Sequence, residues 1–409
     1  MKIIHTSDWH LGQHFMGKTR HAEHQAFLAW LIAQVVEYQV DAVIIAGDIF
    51  DTGTPPSYAR EMYNEFIGDL HDVGAKLVIL GGNHDSVAML GESKNILSRL
   101  STIVIPSVAE VIDHQLVVLE NRNGQPAALL CGIPFIRARD VMQSVAGQNA
   151  QAKQLTLQDA IHNHHQQLFQ LAEAKRLELG SALPIIATGH LTTVGASASE
   201  SVREIYVGSL EAFPTAAFPP ADYIALGHIH RPQKVGGLDH IRYSGSPIPL
   251  SFDEIGKPKE VLLVEFNEHG LKDITPLLVP CFQPLMTIKG NLTELEIQIA
   301  EVAQLGTPAI PVWLEVTVKG DDYLSDLQPR IEAICARFPV EVLRIRRDRG
   351  EGVARLQAFD KETLSELTTL DVFEKRLTQE ELDPEIVEQL HVRYRSVIER
   401  LHGDTGDAQ

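Results

Sequence analysis

Short apolar runs recur through the first 230 residues and predict buried β-strands. Each run is four or five residues long, rich in Ile, Val and Leu, and lacks the polar alternation of a half-exposed strand. The runs cover residues 2–5, 42–46, 76–80, 184–188 and 223–226. Between residues 24 and 39 apolar side chains instead recur at helical spacing, as in a helix that covers a sheet. This alternation predicts an α/β fold.

Polar residues that can bind metals follow each run directly. They are Asp8 and His10, then Asp48, then Asn83, His84 and Asp85, then His190, and finally His228 and His230. Open α/β sheets place their sites at the carboxyl ends of strands. Two divalent ions about 3.5–4 Å apart need a shared carboxylate together with oxygen and imidazole ligands from separate parts of the chain. The pattern therefore predicts a two-metal phosphoesterase site.

Each of these residues also has an ordinary structural interpretation. Asp8 could cap a helix, Asn83 could belong to a turn, and His190 could be a buried histidine that donates to a backbone carbonyl. Glycines 47, 82, 189 and 227 precede ligands, where the lack of a Cβ allows a sharp turn or a close approach. Five such segments, all at strand ends, favour the metal site over independent structural roles.

Longer stretches around these residues carry a family resemblance. They read HTSDWHLGQ, AGDIFDTGTPPSYAR, GGNHDS, ATGHLTTVGASAS and YIALGHIHRPQ, followed by YSGSPIPLSFDE. Their order resembles the calcineurin-like metallophosphoesterase superfamily and, within it, the SbcD-type nuclease subunits of bacterial DNA repair. The resemblance implies an α/β (α+β) fold: a four-layer metallophosphoesterase β-sandwich flanked by helices, with a small αβ capping domain and a C-terminal helical segment.

The resemblance also implies a role for each site residue. One ion would be bound by Asp8, His10 and His230, the other by Asn83, His190 and His228, and Asp48 would bridge them. His84 would bind no metal and would face the scissile phosphate, where it could protonate the leaving oxygen or stabilise the transition state. Asp51 could orient His84 through its carboxylate, or it could simply cap the turn that follows.

The chemistry follows from two ions. Water between them would lose a proton near neutral pH and attack phosphorus as hydroxide. A mixed shell of Asp, Asn and His suits manganese or iron better than magnesium or calcium. We expect manganese, and the sequence leaves zinc open.

The amino-acid composition gives little support for a prediction of DNA binding. The net charge of the 409 residues is −19, whereas nucleic-acid-binding proteins usually show a basic footprint. Local basic groups exist at Lys18 and Arg20, at Arg137 and Arg139, and between Arg344 and Arg349. Solvated surface charge explains each group equally well, so charge alone does not predict DNA binding.

The composition is otherwise typical of a cytoplasmic enzyme. The family resemblance implies that the enzyme associates with the nucleoid. Neither a signal peptide nor a membrane helix of about 18 apolar residues is recognisable. Three cysteines, Cys131, Cys281 and Cys335, are expected to be buried reduced thiols.

The chain length predicts two or three domains. Residues 1–275 hold all the proposed ligands, and prolines 276, 280 and 284 suggest a boundary. Residues 283–348 would form the αβ capping domain, with strands at 285–289, 312–318 and 340–345 and a helix at 323–337. The resemblance implies that this domain shapes a DNA groove; a purely structural appendage is the alternative.

The last segment, residues 361–402, carries two amphipathic helix-like runs within an acidic stretch. The resemblance implies that they dock on an SbcC-type coiled-coil ATPase, while packing on the chain's own domain is the alternative. No P-loop motif is present, so ATP dependence would have to come from that partner.

The expected function is that of a manganese-dependent DNA nuclease subunit of an SbcCD-like complex. By resemblance it would be a double-strand exonuclease and a single-strand or hairpin endonuclease in DNA repair, recombination and replication. A phosphomonoesterase, a cyclic-nucleotide phosphodiesterase and a metal-stabilised scaffold are the alternatives. A homodimer within a heterotetramer is expected by resemblance.

Two further patterns remain. Residues Tyr58, Met62, Tyr63 and Phe66 form a stripe that could be a dimer face or core. His162, His164 and His165 lie in a polar run that predicts a solvated helix face.

Overall fold

The computed structural model describes residues 1–141, 150–199, 202, 212–319, 327–348, 390–391 and 393–394, with the backbone alone for 150–156 and 348. Contacts divide the chain into two units, Met1–Arg347 and Asp348–Gln409. Apart from residues 390–391 and 393–394, the predicted helical segment 361–402 lies outside the described residues.

The described strands and helices alternate along the first unit. The strands are β1 (Lys2–Thr6), β2 (His14–Phe15), β3 (Lys18–Thr19), β4 (Ala42–Ala46), β5 (Lys76–Leu80), β6 (Thr102–Ile105), β7 (Leu116–Glu120), β8 (Pro126–Cys131), β9 (Ile185–His190), β10 (Tyr223–Gly227), β11 (Gln233–Val235), β12 (Leu238–Tyr243), β13 (Glu260–Asn267), β14 (Gly270–Leu278), β15 (Leu285–Gly290), β16 (Val312–Lys319) and β17 (Val340–Asp348). The helices are α1 (His21–Tyr38), α2 (Ser57–Asp72), α3 (Val87–Glu92), α4 (Lys94–Leu97), α5 (Ala138–Val141), α6 (Ala150–Glu178), α7 (Leu292–Val302) and α8 (Leu327–Cys335).

Two six-stranded sheets form the main body. Their strand orders are β14-β13-β1-β4-β5-β6 and β11-β12-β10-β9-β8-β7. Strands β1, β4, β5 and β6 run parallel, as do β8, β9, β10 and β12. The parallel registers bring the carboxyl ends of β1 and β4 together in one sheet and those of β9 and β10 together in the other.

The hydrophobic clusters define four layers. Ile44 and Val78 of the first sheet share one buried cluster with Leu130 and Ala225 of the second. The outer face of the first sheet packs against α1 and α2, and that of the second packs against α6. Because both sheets are covered on both faces, their strands are continuously apolar. The predicted α/β sandwich is confirmed.

The predicted strands agree with the structure to within two residues at either end, except that the predicted strand 340–345 ends three residues before β17 does. Helix α1 begins three residues before the predicted start and buries Phe27, Leu31 and Val35, whereas Val36 is 54% exposed. Strand β14 runs to Leu278, three residues past the predicted boundary at 275. Pro276 is tolerated there because β14 is an edge strand.

A three-stranded sheet, β15-β16-β17, follows with α7 and α8. Helix α7 was not among the predicted elements, although Asn291 and Glu294 form a capping box at its start. The predicted helix 323–337 is described only from Leu327, and it ends at Cys335. Leu285 and Trp313 of this module share a small cluster with Phe15 and Phe252 of the sandwich.

The burial of two helices bears on the remaining sequence patterns. The stripe on α2 is core, because Met62, Tyr63 and Phe66 are buried against the first sheet. The prediction of a solvated histidine face on α6 is wrong: His165 is fully buried and His164 nearly so.

Cys281 is exposed, whereas Cys131 and Cys335 are buried thiols as predicted. Cys281 follows the edge strand β14 in the segment that leads to β15, so no sheet covers it.

Candidate metal centre

Four of the predicted site residues have a backbone conformation that side chains rarely adopt. The φ angles of Asp8, His10, Asp48 and His228 are 54°, 48°, 51° and 94°. Such left-handed residues typically cost about 1–3 kcal/mol each and persist where the surroundings hold them in place. Their concentration at adjacent strand ends marks this edge of the sheets as a functional site.

Glycines allow the strand ends to approach closely. A Cβ on Gly82 would lie 2.1 Å from Asp48 Oδ1, and one on Gly47 would lie 2.2 Å from His190 Nδ1. A Cβ on Gly227 would lie 2.0 Å from the Ala46 carbonyl oxygen. Only glycine fits at these three positions.

Asp48 lies at the centre of the group. Its Oδ2 is 3.3 Å from His190 Nε2 and 3.7 Å from His10 Nε2. Its Oδ1 accepts from the backbone N–H of His84 at 2.9 Å. One carboxylate oxygen thus faces a histidine from each of the two predicted ligand sets, as a bridging ligand would.

The remaining predicted ligands lie on either side of Asp48. Asn83 Oδ1 is 2.9 Å from His190 Nε2 and 3.2 Å from His228 Nδ1. On the other side, the rings of His10 and His230 are 5.1 Å apart. Asp8 accepts from the backbone N–H of His228 at 2.9 Å, which ties the first ligand loop to the last.

This group of donors fits metal ions. Within the described residues, ligand atoms lie within 4.8 Å of one another in three sets: Asp8, His10 and His230; His10, Asp48 and His84; and Asp48, His190 and His228. The Nε2 atoms of His10 and His228 are buried without a hydrogen-bond partner. A buried nitrogen without a partner is unfavourable, and a divalent cation would satisfy both. His10 and Asp48 belong to two sets each, which suits a pair of neighbouring ions.

The electrostatics of the site depend on Asp48. Burial alone would lower the pKa of His190, but the Asp48 carboxylate outweighs it and raises that pKa to about 9. The pKa of His10 is also raised against burial, by Asp51 and Asp48. Burial and the neighbouring His190 lower the pKa of His228. Without metal, the carboxylates therefore favour the protonated forms of His190 and His10, and a bound cation would displace those protons.

Comparison with known proteins agrees with this geometry. The family model described as calcineurin-like phosphoesterase matches residues 1–232. The chain belongs to the calcineurin-like phosphoesterase family. A second model, described as type 5 capsule protein repressor C-terminal domain, matches residues 281–381.

Among curated proteins, three relatives are named as the SbcD subunit of the SbcCD nuclease. The protein of Escherichia coli K12 is 50% identical, with 99% of each chain covered. That of Rhodobacter capsulatus is 31% identical, covering 91% of this chain and 93% of its own. That of Bacillus subtilis is 28% identical, covering 80% and 81%. The resemblance to SbcD-type subunits is confirmed. Among the described residues, no helix has the length and apolar character needed to cross a membrane.

Three further carboxylates, those of Asp51, Asp85 and Glu254, lie beside the predicted ligands. The backbone carbonyl of Asp51 accepts from His84 Nδ1 at 2.7 Å, while its carboxylate lies 3.2 Å from His10 Nδ1. That the Asp51 carboxylate orients His84 stays a prediction, beside the bond from His84 to the Asp51 main chain and the contact of the carboxylate with His10. Asp51 therefore contacts both histidines.

Asp85, which the sequence grouped with the metal-binding side chains, points away from them. Its carboxylate accepts from the backbone N–H groups of Gly82, Phe50 and Ile49 at 2.8, 3.0 and 3.2 Å. Burial raises its pKa to about 6. Asp85 joins the loops after β4 and β5 and so fixes the positions of the ligands they carry.

Glu254 is a site residue that the sequence analysis missed. It is buried behind His230 and pairs with buried Lys259 at 2.5 Å. Burial raises the pKa of Glu254, but His230 and Lys259 outweigh burial and lower it below its usual range. Burial also lowers the pKa of Lys259, which Glu254 opposes. Three oxygen atoms accept from Lys259 Nζ and stabilise its positive charge. The signal in the sequence was the stretch SFDE, whose last residue carries this carboxylate.

Several of the basic side chains identified in the sequence form ion pairs or hydrogen bonds within the chain. Arg344 and Arg346 both contact the Glu315 carboxylate, at 3.2 and 3.0 Å. Arg20 is fully buried and pairs with Glu23. Arg137 donates to the carbonyl of Asp85, which directly follows Asn83 and His84 in the chain, at 3.3 Å.

Proposed function

We propose that this chain is the nuclease subunit of an SbcCD-type complex and hydrolyses DNA phosphodiester bonds with two divalent metal ions. The observation that carries the proposal is that seven metal-binding side chains from five strand ends gather at one edge of the sheets, where His10 and His190 both face Asp48 Oδ2. Relatives that share this chain from end to end are nucleases by name, which selects the reaction among those a two-ion site could perform.

In this proposal Asp8, His10 and His230 would hold one ion and Asn83, His190 and His228 the other, with Asp48 shared. When bound, such ions acidify water and neutralise the non-bridging oxygens of a phosphate. The shared carboxylate would keep the two positive charges close together. Manganese is our choice of metal, because histidine and carboxylate ligands together suit it better than magnesium or calcium.

His84 would contribute to the reaction without binding metal. Its ring packs edge-on against His10 at 4.7 Å, and its Nδ1 faces the Asp51 carbonyl. That bond leaves Nε2 as the atom that can hold a proton for the leaving oxygen or donate to a charged oxygen of the transition state. The Asp51 carboxylate would orient His10 in the same way.

The finer parts of the proposal concern substrate and assembly. We propose exonuclease action on double-stranded ends and endonuclease action on single strands and hairpins, in a homodimer that binds an SbcC-type coiled-coil ATPase. The acidic segment 361–402, with its two apolar stripes, is the proposed docking element for that ATPase.

The test compares substrates on one preparation of the full chain. Duplex ends, a DNA hairpin, a phosphate monoester and a cyclic nucleotide would be assayed with and without Mn²⁺. We expect manganese-dependent cleavage of both DNA substrates and little turnover of the others. Asp48→Asn serves as the control for contaminating nuclease. Turnover of the monoester or cyclic nucleotide with intact DNA would overturn the proposal.

A second experiment tests the partner. Removal of residues from Lys361 onward should leave manganese-dependent hairpin cleavage intact and abolish co-purification with an SbcC-type ATPase. Undiminished co-purification would exclude this segment as the docking element. Loss of folding would assign the helices to the chain's own core.

A further inference from the structure

A buried ion pair lies behind the proposed metal centre and has no part in the chemistry described above. Glu254 and Lys259 are 2% and 7% exposed and lie 2.5 Å apart. Buried ion pairs are a weak source of stability, because losing hydration offsets most of their attraction and apolar replacements are often as stable. A positioning role therefore explains this pair better than stability does.

The Glu254 carboxylate faces the ring of His230. Its Oε1 lies 3.6 Å from His230 Nδ1 and accepts from Ser199 Oγ at 2.8 Å. Its Oε2 accepts from Lys259 Nζ at 2.5 Å and from the backbone N–H of Leu250 at 3.1 Å. With donors on both oxygens, the carboxylate is held in one orientation.

Lys259 binds the main chain of the same histidine. Its Nζ donates to the His230 carbonyl oxygen at 3.0 Å and to Ser246 Oγ at 2.8 Å. The N–H of Ser246 also donates to that carbonyl, at 3.2 Å. The pair thus contacts His230 at both ends: Glu254 faces the ring, and Lys259 holds the backbone.

We propose that Glu254 is a positioning residue for His230, keeping the ring proton on Nδ1 and leaving the Nε2 lone pair for the ion shared with Asp8 and His10. A carboxylate behind a histidine ligand fixes its tautomer and raises its basicity. The inference rests on the ligand assignment of the proposed function. It predicts that Glu254 affects one of the two ions and not the other.

The experiment measures metal binding by the full chain rather than cleavage. Metal-free wild type and Glu254→Gln would be titrated with Mn²⁺ by calorimetry and followed by electron paramagnetic resonance, in which two neighbouring Mn²⁺ ions give a spin-coupled signal. We expect Glu254→Gln to weaken one site by about 10- to 100-fold and leave the other unchanged. The coupled signal should give way to that of isolated Mn²⁺ at intermediate metal concentration.

Glu23→Gln is the matched control. Glu23 is also a buried carboxylate, 2.5 Å from buried Arg20, and no described bond joins it to a proposed ligand. Both variants leave a buried cation without its carboxylate, so they share the general loss of stability. Only Glu254→Gln should separate the two manganese affinities. Equal affinities in wild type and both variants, or equal weakening of both sites, would overturn the positioning role.

A second variant, Glu254→Asp, tests the proposal if Glu254→Gln does not fold. Glu254→Asp keeps the charge beside Lys259 but shortens the side chain by one methylene, so it should weaken the same site to a lesser degree. Wild-type affinity at both sites in Glu254→Asp would overturn the inference. Failure of the proposed nuclease function would appear separately, as wild-type protein that binds two Mn²⁺ ions and leaves DNA intact.

Discussion

Replacement of Gly227 by alanine tests whether the two sheets must approach as closely as the site suggests. Gly227 ends β10 in the second sheet, and Ala46 ends β4 in the first. A Cβ on Gly227 would lie 2.0 Å from the Ala46 carbonyl oxygen and 2.8 Å from His190 Nδ1. That carbonyl also accepts from His190 Nδ1 at 2.8 Å. A single methyl group would therefore disturb the strand and the proposed ligand together.

The size of the effect follows from these distances. Real Cβ contacts essentially never fall below 3.0 Å, so the methyl and the carbonyl must separate by about 1 Å from their 2.0 Å starting distance. Overpacking of a close-packed core typically costs about 1–3 kcal/mol of stability. Displacement of a reacting geometry by about 1 Å can lower the rate about 100-fold. We expect losses of this order in stability and in DNA cleavage.

The assay compares Gly227→Ala with Gly68→Ala. Gly68 lies in α2, and a Cβ there meets nothing within 4 Å, so this change should be neutral or stabilising by up to about 1 kcal/mol. Urea unfolding, Mn²⁺ titration and hairpin cleavage would be measured for both. If Gly227→Ala matched Gly68→Ala in all three, the close approach of the strands would not be needed for the site.

Three further predictions use the histidines. His84→Ala should lower cleavage about 100-fold or more and leave two manganese ions bound, and loss of both ions by elemental analysis would reject its proposed role. His5, His24 and His165 are fully buried, and burial lowers the pKa of each to about 3. Between about pH 6.5 and 3 these histidines bind protons in the unfolded chain but not in the native state. The free energy of unfolding should therefore fall as the pH drops through this range. His165→Phe should flatten this fall in urea titrations of metal-free protein, and an unchanged slope would refute the reasoning. Because the pKa of His190 is raised to about 9, Mn²⁺ binding at pH 7 should release protons. Calorimetry in buffers of different ionisation enthalpy measures this release. A binding enthalpy that does not depend on the buffer would contradict the prediction.

Local sequence alone was sufficient to predict an α/β fold and the residues gathered at its strand ends, whereas the sandwich architecture was expected from the family resemblance. Strands covered on both faces must be continuously apolar, so 42–46 and 76–80 could be recognised without knowledge of their neighbours. Parallel strands end at the same edge of a sheet, which is why Asp48 and Asn83 could be expected to lie close together.

Partners distant in the chain could be identified only in the folded structure. Glu254 reaches His230 from 24 positions away along the sequence, beyond strands β11 and β12. The polar composition of α6 predicted solvent around His165, but Leu168 and Phe169 place that face of the helix against the second sheet. Asp85 points inward, where its carboxylate accepts from three backbone N–H groups of two loops. Residue type and spacing along a strand are enough to predict the strands and the ligands at their ends. The direction of a loop side chain depends instead on which groups the tertiary fold brings within its reach.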